Sequence, residues 1–121
     1  MEYLDMQDFK LDLSNASDFT AAWLLDAVAN SAHKGVQNNQ AKAADLMAEA
    51  KTIINGEDPN GEIAQAKLNR LATRIEMHEE QEQFFQTNLD SAAAAWVAIT
   101  GKKSWSPYAG GNATPKNATA T

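Results

Sequence analysis

Residues 62–100 read EIAQAKLNRLATRIEMHEEQEQFFQTNLDSAAAAWVAIT, 39 positions with neither glycine nor proline. Taking Ala64, Leu68, Leu71, Ile75, His78, Glu82, Phe85, Leu89, Ala92, Trp96 and Ile99 in turn, the steps alternate four and three throughout. Steps of this kind return to one side of an α-helix, and a sustained mean of 3.5 is the heptad repeat that lays a helix along a partner. At about 1.5 Å per residue a continuous helix here would be about 58 Å long. A compact chain of this length has a radius of gyration of about 14 Å and could not enclose it. Either the helix breaks at the cap-like cluster Thr87, Asn88, Asp90 and Ser91, or it protrudes and packs on a neighbour. Protrusion is the expectation, with Leu71, Ile75, His78, Glu82, Phe85 and Leu89 as the oligomer seam.

His78 and Glu82 sit in that apolar stripe four residues apart, a spacing that allows a hydrogen bond or two ligands to one metal ion. The Glu-x-x-His pair of di-iron bundles is missing, because Ile75 stands three residues before His78. We read the two as a polar layer that sets helix register or subunit number, and expect no metal and no cofactor.

Upstream, Ser14, Asn15 and Ser17 are good N-cap residues before a run from Asp18 to Lys34. Ala22, Leu25, Ala29, Ala32 and Val36 follow one helical face, which Phe19 and Trp23 widen. Gly35 predicts the end of this first helix, with His33 and Lys34 placed against its negative end. Asn38 or Asn39 would cap a second helix, 39–54, with Ala43, Leu46, Met47, Ala50, Ile53 and Ile54 on its apolar face. Asn55 and Gly56 supply a left-handed stop, and Asp58 with Pro59 would open the third helix, 59–100. The fold class is thus all-α: a helical hairpin plus one long C-terminal helix, three-helix-bundle-like, with coiled-coil association.

Both ends differ from this body. In residues 1–16, Phe9, Lys10, Leu11, Asp12 and Leu13 alternate apolar and charged, the period of a strand, yet no second strand pattern exists to pair with it. We expect an extended arm that places Phe9, Leu11 and Leu13 on a partner. Residues 101–121 are rich in Ala, Gly, Asn, Thr and Pro, a composition that does not fold alone. The exception is Lys102 to Tyr108, where Trp105, Pro107 and Tyr108 have the make-up of a docking peptide.

The bulk properties narrow the function. The 121 residues suit one domain, 17–100, with two flexible ends. Sixteen acidic against ten basic residues give a net charge of -6, which repels phosphate backbones and anionic lipid, so neither nucleic acid nor membrane is an expected partner. The absence of cysteine removes disulfides, thiolate metal sites and thiol catalysis. No secretory signal pattern and no spanning segment is visible, which predicts a cytoplasmic protein or a virion part assembled in the host cytoplasm. No phosphate-binding loop, catalytic triad signature or zinc spacing occurs, so we expect no enzyme.

The expected function is a non-enzymatic assembly component that binds other protein subunits and forms a homo-oligomer. By analogy of composition it has the style of a small bacteriophage structural or connector protein. The alternative is an acidic inhibitor in which Glu76, Glu79, Glu80 and Glu82 mimic a phosphate string.

Overall fold

The computed structural model describes residues 17–108. Two long helices, α1 (Asp18–Ile54) and α2 (Glu62–Thr100), pack together as a helical hairpin around the loop 55–61, and no strand occurs among the described residues. The all-helical class stands. The three helices become two, and the arm residues Phe9, Leu11 and Leu13 lie outside the described residues.

Each terminus has a local cause. Ser17 caps α1: its Oγ accepts the Thr20 amide at 3.1 Å and donates to the Thr20 hydroxyl at 3.0 Å, satisfying a donor that the first turn leaves without a partner. At the other end of α1 neither Asn55 nor Gly56 is left-handed, contrary to expectation. A tight turn closes the helix instead, with the Gly56 amide donating to the Ile53 carbonyl at 3.1 Å. Asp58 and Pro59 do not open α2, which begins three residues later, at Glu62. Asp58 to Gly61 form a turn of their own, Gly61 N–H donating to the Asp58 carbonyl at 3.2 Å, and the Gln65 side chain reaches back to the Pro59 carbonyl. α2 then runs unbroken to Thr100. Asn88, a residue of the suspected break, is helical, with its side chain bonded to the Phe84 carbonyl one turn back.

Why α1 does not stop at Gly35 is a matter of packing. Glycine inside a helix costs about 1 kcal/mol relative to alanine. Against this, Ala29, Ala32, Val36, Asn39, Ala43 and Leu46 are buried at three- and four-residue steps straight through the glycine. Ending the helix would forfeit burial along that stripe, and tertiary packing outweighs local propensity. His33, Lys34 and Asn39, expected as caps, are therefore mid-helix residues with other partners.

The chain divides into two compact units. The first holds residues 17–34 and 84–108 of the described chain. Its core is Ala22, Leu25, Ala29, Ala92 and Trp96, flanked by Val28, Leu89, Ala95, Val97, Ile99 and Trp105. Trp96, 1% exposed, is the largest fully buried side chain, and its indole N–H has no acceptor among the described residues. The second unit is residues 35–83. Here Val36, Ala43, Leu46 and Leu71 are buried together with one polar residue, Asn39.

Candidate functional site

The first unit carries the densest set of specific contacts, and they gather where the chain leaves α2. Gly101, at a φ of 73°, takes the left-handed turn that only glycine adopts at little cost, and its amide closes the last helical bond to Val97. The Thr100 hydroxyl donates to the Trp96 carbonyl and accepts the Lys102 amide at 3.3 Å. The residues from Lys102 to Tyr108 then fold back along α1 as a strap.

The strap is anchored by Trp105. Its ring packs on the core cluster, meets the His33 ring edge-on at 6.2 Å between centroids, and its indole N–H donates to Asp26 Oδ1 at 2.8 Å. Asp26 is 4% exposed, so its carboxylate needs every donor it can obtain. The second donor is Asn30, whose Nδ2 lies 3.2 Å from Asp26 Oδ2 and whose own Oδ1 accepts the Tyr108 amide. Tyr108 has a positive φ of 63°, uncommon for a residue with a side chain, and the ammonium of Lys34 lies 5.6 Å from its ring centroid. Asp26, Asn30, His33 and Lys34 thus form one face of α1 that reads a tryptophan and, three residues on, a tyrosine.

In the second unit the polar layer exists, with a partner that periodicity alone did not suggest. His78 Nδ1 lies 2.8 Å from Asn39 Oδ1. Asn39 Nδ2 donates to the Gly35 carbonyl at 2.8 Å, which turns Oδ1 toward the histidine and so assigns the proton to Nδ1. Glu82 accepts from Gln40 at 3.0 Å rather than bonding His78. Among the described residues, no three His, Asp or Glu side chains converge as a metal would require, and no helix is long and apolar enough to cross a membrane.

The seam residues fall in both units. In the second, Leu71 is buried, Ile75 half-buried, and His78 and Glu82 are bonded to α1 of the same chain. In the first, Leu89 packs on the core and Phe85 is half-buried, edge-on to Phe84. The heptad pattern thereby serves the pairing of α2 with α1, while Ile75, His78, Glu82, Phe85 and Leu89 each retain exposed surface. Of the docking-peptide residues, Trp105 lies on its own chain and Pro107 and Tyr108 are exposed. Phe19 and Trp23, expected to widen the core face, are instead 52% and 45% exposed, with ring centroids 6.2 Å apart. Leu24 on the same two turns is also exposed, as are Met47 and Ile54 in the second unit.

Sequence reasoning missed Asp26 and Asn30, and took Asn39 only as a helix cap. Two of them had a signal: Asp26 stands four after Ala22 and three before Ala29, and Asn39 three after Val36 and four before Ala43, so each interrupts the buried stripe. No protein-family model, curated protein or solved structure matches the chain.

Proposed function

We propose that this is a non-enzymatic assembly protein that binds other protein subunits through its helical body and its ends, and that it serves as a small virion or connector component of a bacteriophage. The observation that carries the reading is the aromatic patch at the start of α1. Phe19, Trp23 and Leu24 stand half out of the surface within two turns, next to a core built largely of alanine. Large aromatic side chains left exposed together favour an interface, where each supplies wide contact at a small entropic cost.

The test is mass in solution by light scattering. The native chain should give a multiple of 13.1 kDa, and the double variant Phe19→Ser, Trp23→Ser should give a clearly smaller mass than the native chain with its helical spectrum unchanged. A native chain that stays single up to its solubility limit overturns the reading.

A further inference from the structure

The strap site on α1 has a recognisable chemistry. It offers a buried carboxylate held by Asn30, which takes an N–H carried on a flat apolar ring, and an amide oxygen that takes a backbone N–H three residues further along. Beyond these lies a cation for an aromatic ring. Within this chain only Trp105 is followed at three residues by a tyrosine: Trp23 is followed by Asp26 and Trp96 by Ile99. The ligand that fits the face is therefore this segment.

We infer that the segment Trp105–Tyr108 also docks in trans, on the Asp26–Lys34 face of a second copy of the chain. The link that ties it to α2 is built for exchange. Gly101 to Ser104 are exposed, Gly101 is a glycine pivot, and two bonds at the start of the link hold it down, Gly101 N–H to the Val97 carbonyl and Lys102 N–H to the Thr100 hydroxyl. Lifting the strap breaks contacts that an identical strap restores in full, which is why exchange of identical elements is an inexpensive route to association. A vacated face leaves the Asp26 carboxylate short of the indole donor, and a second Trp105 supplies it. The inference takes its partner from the subunit-binding reading above but uses a different surface from the Phe19 and Trp23 patch.

Complementation tests it. A tagged Trp105→Ala chain has an empty face and no functional strap; an Asp26→Leu chain has a free strap and a blocked face. The tagged chain should capture the Asp26→Leu chain at least about tenfold better than it captures untagged Trp105→Ala chain, with native chain intermediate because its strap is already engaged. Association through any other surface is equal in these captures and cancels. Equal capture of all three overturns the exchange, while the mass of the native chain separately decides the assembly reading. If Asp26→Leu loses its helical spectrum, Asn30→Ala, which removes the acceptor of the Tyr108 amide, replaces it with the same expected order.

Discussion

The indole of Trp105 donates to the carboxylate of Asp26 across 79 positions of sequence, joining a segment of tail composition to the middle of a helix. Trp105 is half-buried and part of the core margin, so it contributes to stability as well as to recognition. Truncating a buried tryptophan costs about 3–5 kcal/mol, and the half-buried site scales this to about 2 kcal/mol. Deleting residues 102–121 should therefore lower the melting temperature by about 10 °C, since 1 kcal/mol corresponds to about 4–8 °C in a domain of this size. Trp105→Phe should recover part of the packing and still lack the bond to Asp26. Calorimetry of the three chains checks this order, and a truncated chain that melts with the native one refutes the anchor.

For the polar layer, the expectation concerns a pair of residues. Asn39 is 6% exposed, and its carbonyl oxygen has His78 as partner. His78→Leu alone strands that oxygen in a closed site and should destabilise by about 1–3 kcal/mol. Changing both positions to leucine removes the stranded group and should return the chain to within about 1 kcal/mol of native. Denaturant unfolding of the two single variants and the double gives the coupling directly. Additive losses would mean that the 2.8 Å contact contributes nothing of its own.

Gly35 lies inside α1 with no positive φ, so nothing in the backbone demands a glycine there. Gly35→Ala should stabilise the chain by about 0.5–1 kcal/mol through helix propensity and a stiffer unfolded state. A loss of stability on this change, read from thermal unfolding, would show that the close neighbours of Gly35 leave no room for a methyl group.

How far the sequence could be read follows from what each signal reports. Periodicity pointed to one long helix ending at Thr100, because no breaker interrupts 62–100, but placed its start at 59, where the turn Asp58–Gly61 holds the chain out of the helix until Glu62. Around Gly35 local stop signals and long-range burial point opposite ways. The stripe through Val36 and Ala43 prevailed because each residue added there gains packing, whereas the glycine penalty is incurred once. Trp105 stood out as an aromatic within a polar tail. Its acceptor could not be deduced, since a hydrogen bond between residues so far apart leaves no trace in spacing. Asp26 and Asn39 were legible only as polar interruptions of an apolar stripe, and such interruptions show that a partner is needed without saying which one.

Among the described residues, six of the eleven buried apolar ones, Ala21, Ala22, Ala29, Ala32, Ala43 and Ala92, are alanines. An alanine has almost nothing to lose by truncation, and any enlargement must push neighbouring backbone aside, at about 1–3 kcal/mol per overpacked site. The inner surface of the hairpin therefore has a one-sided mutational tolerance. Sequence drift at these six positions is confined to residues no larger than alanine or serine, while the exposed aromatics on the outside are free to change with whatever they touch.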